Sequence, residues 1–308
     1  MMRRPPQLRR TWLFGAGADA AVHAAMAASG ADVLIQDLED FTPPARRIEA
    51  RSLAAALYAS WHAAGAEVVV RINRLEDVGL TDLDAVMPAQ PDCIAYPKAA
   101  SAHEIRNLHA EIGKRETSCG YTPGSIEILP ICETAAGVVN LREIAAASPR
   151  VRCALLGAED LAADLCAERG PDAVELDYAR RRFVLECRAA GVEPIDAPYT
   201  YADVEGAVRE ATYARRLGYR AKSLVRVDHT EALNTVFTPE VGACARAATD
   251  RGLRGGPRAR RGARADRRPM GRGTHLSQRP AHAGTRPRLR PDQVADASAC
   301  CASRCCGP

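Results

Sequence analysis

A (β/α)8 barrel, the TIM-barrel form of the α/β class, is the architecture expected of this chain. Strand-like apolar runs alternate with alanine-rich helical stretches from residue 11 to about residue 240, eight such pairs fit in that span, and charged residues collect where the runs end. Strand–helix alternation implies a parallel sheet with helices outside, and eight units in about 230 residues suit a closed barrel. The competing arrangement, an open doubly wound sheet, calls for a glycine-rich phosphate loop after the first strand. Gly15-Ala16-Gly17 is only a fragment of one.

The first strand is placed at 12–16, where Trp12, Leu13 and Phe14 run together, and a helix follows over 19–29. The second strand, 33–38, is apolar up to Gln36 and leads to a long helix over 43–64. Three successive valines open the third strand, 68–73, and Cys93-Ile94-Ala95-Tyr96 carries the fourth, 93–97. The fifth, 125–132, precedes a helix over 134–148; the sixth covers 151–157 and the seventh 193–197. A helix over 203–217 leads into the eighth strand, 221–225. Residues 1–10 form a basic lead-in, 11–247 the barrel, and 248–308 a separate tail.

Bulk properties narrow the partners. Of the 308 residues 47% are hydrophobic, as in a globular protein, and no apolar run reaches the roughly 20 residues of a membrane helix. The basic start leads straight into the first strand without a signal-peptide core, so a cytoplasmic location is expected. The formal charge of +4 sums two unlike parts. Residues 249–308 hold 14 arginines against 4 aspartates, a charge of +10, so residues 1–248 carry −6. Seven of the 11 cysteines are scattered singly between Cys93 and Cys244, several within apolar runs (Cys93, Cys132, Cys153) where a free thiol acts as a small hydrophobe. Cys300, Cys301, Cys305 and Cys306 crowd the terminus without the spacing of a zinc site.

Active sites of such barrels lie at the C-terminal ends of the strands. That places Asp37, Glu39 and Asp40 after the second strand, Arg71 and Asn73 after the third, and Lys98 after the fourth. Glu133 follows the fifth, Glu159 and Asp160 the sixth, and Asp196 the seventh. Magnesium takes oxygen ligands and usually only one or two protein carboxylates, which Glu133 and Asp160 would supply. Each residue also has a plainer reading: Asp160 as a helix cap, Arg71 as a surface ion pair, Lys98 as solvated. The convergence of Arg71, Glu133 and Asp160 on one rim favours metal-assisted chemistry on a small oxyanion. Glu143, Arg180 and Glu186 are assigned to solvated helix faces.

At these motifs the chain resembles the HpcH/HpaI aldolase and citrate lyase beta-subunit family. The resemblance is carried by Arg10-Thr-Trp-Leu-Phe14, Ser29-Gly-Ala-Asp32, Asp37-Leu-Glu-Asp40, Val70-Arg-Ile-Asn73 and Tyr96-Pro-Lys98. It continues through Ile131-Cys-Glu-Thr-Ala135, Gly157-Ala-Glu-Asp-Leu-Ala-Ala-Asp164 and Thr238-Pro239, covering roughly residues 10–240. It implies a barrel of the phosphoenolpyruvate/pyruvate type, Mg2+, and lyase chemistry at a carbon–carbon bond, usually in the CoA thioester of a 3-hydroxy acid. Malyl-CoA or citramalyl-CoA would then yield an acetyl-CoA-type thioester and a 2-oxo acid. On this resemblance Glu133 and Asp160 are metal ligands, Arg71 and Glu133 meet the substrate, and Glu39 and Asp40 organise water at the metal. A homo-oligomer, a trimer in particular, is implied as well. Two segments depart from the family's pattern, Gly15-Ala16-Gly17-Ala18-Asp19 and Val225-Arg226-Val227-Asp228-His229, and both bear on the CoA or acyl part.

After residue 248 the periodicity is lost to Arg, Gly, Pro and Ala, a composition of disorder. A DNA can be written for residues 268–288 whose next reading frame encodes GRWVEAPTYRNAQRMLARAR, which looks like the family's usual C-terminal segment. The tail is therefore read as a frameshift product. Two other functions compete with the lyase: hydrolysis of the same thioester, and a catalytically impaired relative whose basic tail binds nucleic acid. The second is not expected, because the arginines lack the interleaved aromatics of single-strand binders.

Overall fold

The computed structural model describes residues 3–238, and the expectations for the tail lie outside the described residues. Eight parallel strands close into a barrel in chain order: β1 (Thr11–Ala16), β2 (Val33–Asp37), β3 (Glu67–Arg71), β4 (Cys93–Tyr96), β5 (Glu127–Cys132), β6 (Cys153–Leu156), β7 (Glu193–Asp196) and β8 (Ala221–Leu224). Closure is direct, with Thr11, Trp12 and Leu13 of β1 in register with Lys222, Ser223 and Leu224 of β8. The TIM-barrel expectation therefore holds.

Side-chain alternation divides each strand between two cores. Trp12, Phe14, Val33, Ile35, Val69, Ala95, Leu129, Ile131 and Leu155 fill the barrel interior. Their neighbours Leu13, Leu34, Val68, Val70, Ile94 and Ile128 pack outward with the helices. Burial on both faces explains why these strands read as continuous apolar runs instead of alternating ones.

The helical layer comprises α1 (Ala20–Ala28), α2 (Arg47–Ala63), α3 (Leu80–Val86), α4 (Ala102–Cys119), α5 (Ala135–Val139), α6 (Leu141–Ala146), α7 (Glu159–Asp164), α8 (Asp177–Ala190), α9 (Val204–Leu217) and α10 (Thr230–Phe237). Side chains open several of them. Asp19 caps α1, Ser101 and Glu104 form a reciprocal capping box on α4, and Asp203 caps α9. The helix expected over 134–148 is two helices. Asn140 leaves helical geometry, and its side-chain amide donates instead to the Ala100 carbonyl at 2.9 Å. Trp61 of α2 is fully buried against the edge of His23, as Trp12 is inside the barrel.

Buried ion pairs close the N-terminal mouth. Arg9 reaches both oxygens of Glu127 at 2.7 and 3.2 Å, and Trp12 Nε1 donates to the Arg9 carbonyl at 3.1 Å. Asp32 accepts from the Arg10 amide and guanidinium and pairs with Arg4, so the basic lead-in is tied to this end.

Two sequence expectations are corrected here. Asp196 does not reach the rim: Ile195 takes the interior side of β7, so Asp196 must face the helices. There it meets Arg180 at 2.9 and 2.8 Å and Lys222 at 2.6 Å. Arg180 is accordingly buried, not solvated, and Lys222 also reaches Glu210 at 2.7 Å. Full pairing offsets the desolvation of these charges.

Candidate active site

At the C-terminal mouth the fixed point is Arg71, the last residue of β3. Asp37 and Arg71 end neighbouring strands in register, which sets their side chains side by side. Arg71 donates through Nε and Nη2 to the two oxygens of Asp37 at 2.8 and 2.5 Å. Its Nη1 lies 2.9 Å from Glu39 Oε2 and 3.4 Å from Asp40 Oδ2. Phe14 and Phe41 cover the guanidinium, their ring centres 5.3 and 5.5 Å away. A bidentate partner and two aromatic faces leave this arginine little freedom. Asp37 also accepts from the Glu39 and Phe41 amides, each at 2.9 Å, and so shapes the loop carrying Glu39 and Asp40.

Glu133 follows β5 directly and is buried. Its Oε1 accepts from the Lys98 amide at 2.8 Å. A Cβ at Gly157, beside it at the end of β6, would lie 2.5 Å from Glu133 Cβ and 2.6 Å from Oε2. Only glycine leaves room for the carboxylate there. Burial pushes the Glu133 carboxyl up to about 7, against the pull of Arg71 and Lys98. Burial likewise raises Glu39, opposed by the same two cations.

Asp160 stands in the first turn of α7, whose N-cap position is taken by Ala158, so it is not the cap of that helix. Lys98 links the two acidic groups: its Nζ is 2.6 Å from Glu39 Oε1 and 2.9 Å from Asp160 Oδ2. Its backbone adopts φ 49°, the left-handed region uncommon for a side-chain-bearing residue.

A cavity of ≈ 290 Å³ opens beside these groups, lined by Arg71, Glu133 and Asp160 and by apolar Phe14, Phe41, Ile131, Leu155 and Val225. The structure thus gathers Arg71, Glu39, Asp40, Glu133 and Asp160 at one mouth. Glu159 sits at its exposed edge, paired with Arg169 at 3.2 Å and accepting from Thr200 Oγ1 at 2.9 Å. Asn73 is buried away from the cavity and ties two loops, donating to the Leu38 carbonyl and to Asp82. Phe14, Phe41 and Gly157 are not singled out by the sequence for these positions, and Asp37, expected at this rim, is not expected to clamp Arg71. Their signal is the strand register, which becomes visible only once the barrel closes.

The donor set suits a hard cation. Asp160 Oδ2 and Glu39 Oε2 are buried without a hydrogen-bond partner, since the nearby cations approach out of line. Among the described residues no group of three or more His, Cys, Asp or Glu could hold a metal. Magnesium on one or two carboxylates does not require such a group.

A closed parallel barrel whose polar groups converge on a cavity at the C-terminal mouth is an α/β-barrel enzyme. The chain belongs to the HpcH/HpaI aldolase/citrate lyase family, whose profile matches residues 10–227. It is 34% identical to citrate lyase subunit beta of Escherichia coli over 246 residues, 78% of this chain and 80% of that one. Identity to the L-malyl-CoA/beta-methylmalyl-CoA lyase of Cereibacter sphaeroides is 32% over 271 residues, 80% of this chain and 85% of that one. Protein CitE of Mycobacterium tuberculosis, solved with magnesium, acetoacetate and coenzyme A, superposes with a TM-score of 0.63 at 27% identity. That likeness covers 80% of this chain and 87% of CitE. By class the chain is a carbon–carbon lyase.

Proposed function

We propose that this enzyme is a magnesium-dependent lyase that cleaves or forms a 3-hydroxyacyl-CoA, such as malyl-CoA or citramalyl-CoA. The observation that carries the reading is the meeting of Glu133 and Asp160 beside the clamped Arg71, with buried carboxylate oxygen left unpartnered. The L-malyl-CoA/beta-methylmalyl-CoA lyases act on CoA thioesters by name, and CitE was crystallised with magnesium, acetoacetate and coenzyme A. Glu133 and Asp160 would hold the metal, which supplies Lewis-acid polarisation of the substrate carbonyl.

In the cleavage direction the C2–C3 bond breaks. The hydroxyl proton is lost as its oxygen becomes the carbonyl of a 2-oxo acid, the bonding pair stays on C2 as a thioester enolate, and one proton returned to C2 yields the acetyl-CoA-type product with no net proton change. Arg71 aims fixed donors at the oxyanion and offsets its charge without reorganising. Glu39 and Asp40 offer acceptors that orient water at the mouth. The apolar wall of Phe14, Phe41, Leu155 and Val225 excludes water from the reacting carbons. The working form is a cytoplasmic homo-oligomer, with a trimer expected in sedimentation velocity.

Calorimetry with glyoxylate or oxaloacetate, with and without magnesium, tests this reading. Binding should require both the metal and Glu133, and Glu133→Gln should abolish turnover with the fold intact. Full activity in that variant would remove the ligand assignment. Product analysis separates cleavage from hydrolysis: acetyl-CoA with oxo acid means cleavage, free CoA with intact hydroxy acid means hydrolysis.

A further inference from the structure

We propose that the Lys98 ammonium is a built-in counter-cation, holding the acid cluster while the metal is absent and leaving Asp160 when a divalent cation enters. The inference rests on the reading of Glu133 and Asp160 as ligands. Among the described residues, the cations that face Asp37, Glu39, Asp40, Glu133 and Asp160 at this mouth are Arg71 and Lys98. Arg71 is committed to Asp37 by two hydrogen bonds. Lys98 is the mobile one.

Its three contacts differ in kind. The amide donates to Glu133 from a left-handed backbone, so the main chain is pinned to a ligand residue. The Nζ–Glu39 contact is a hydrogen bond of 2.6 Å. The Nζ–Asp160 contact, at 2.9 Å, is out of line and leaves Oδ2 without a hydrogen bond. Glu39 is thus a tether, and Asp160 is held by charge alone. The lysine side chain is 33% exposed, so the ammonium can swing outward while its backbone stays in place. An ammonium and a divalent cation repel strongly at one carboxylate oxygen, and the incoming metal must displace the lysine from Asp160. Work spent on that displacement lowers apparent metal affinity, as any competing pre-formed state does.

Lys98→Met preserves the amide and most of the stem but removes the charge. Magnesium titration of the full chain by calorimetry should show about tenfold tighter binding in Lys98→Met than in the wild type. The metal-induced rise in Tm should also be larger, because the metal-free acids have lost their counter-cation. Lys98→Arg, which keeps the charge, should bind magnesium like the wild type. A Met variant that folds only with magnesium present is the extreme of the expected result. Equal or weaker binding by folded Lys98→Met and Lys98→Gln, with an unchanged Tm increment, would overturn the role of Lys98 alone. A wild type that binds no magnesium removes the ligand assignment and this inference with it.

Discussion

Arg71 is defined less by its charge than by its planar, two-sided fixation. Asp37 holds one edge, and Phe14 and Phe41 cover the guanidinium. Lysine keeps the charge but loses the paired donors and the stacking. Arg71→Lys is therefore expected to lower kcat/KM about 100-fold, with magnesium affinity by calorimetry nearly unchanged. Glu133 carries a pH signature. Its carboxyl titrates at about 7 in the folded protein, against an ordinary value of 4.5. Between those values the folded state binds more protons than the unfolded one, so this group's contribution to stability falls as pH rises. Without metal, Glu133→Gln should gain stability relative to wild type from about pH 5 to about pH 8, by at most about 3 kcal/mol. Thermal melts across that range check it. Glu133, Asp160, Arg71, Glu39 and Asp40 could be assigned to one rim because strand ends are readable from apolar runs. The Asp37 clamp depends on register, and the left-handed turn at Lys98 leaves no trace in composition.

Between elements, the Arg180–Asp196–Lys222–Glu210 group ties α8, β7, β8 and α9 together out of water. Lys222→Met would strand part of Asp196 and Glu210 and should cost about 3–5 kcal/mol in denaturant unfolding. Asp196→Asn in the same chain should return part of that loss, since the neutral amide no longer needs the ammonium. The eight strands were legible because double burial makes them uniformly apolar. The same uniformity hid which residues face inward, so Asp196 was misassigned to the mouth and Arg180 to solvent. Strand ends were also blurred. Val151 makes only an isolated bridge to Ile128, and regular pairing of β6 begins at Cys153. At the Asn140 break the side-chain amide donates to the Ala100 carbonyl, a tertiary contact that no local pattern reports.

Across the whole barrel, the proposed catalytic groups and the buried ion pairs of Arg9 occupy opposite ends. Arg9, Glu127 and Glu67 seal the N-terminal mouth, whereas Arg71, Glu133 and Asp160 line the cavity at the other. This is the division expected of the fold. Arg9→Met should therefore destabilise the protein by about 3–5 kcal/mol in denaturant melts while leaving magnesium affinity within error of the wild type. A matching loss of metal affinity would mean that the two ends communicate through the interior stack of side chains.

The two tryptophans of the chain, Trp12 and Trp61, are both sealed from solvent, one inside the barrel and one beneath α2. Neither lines the cavity. Native emission should therefore sit at the blue end of the indole range and stay there as ligands fill the mouth. Unfolding would shift it to the red. One fluorometer trace then reads the integrity of the barrel independently of occupancy, and it separates a variant that cannot bind from one that cannot fold.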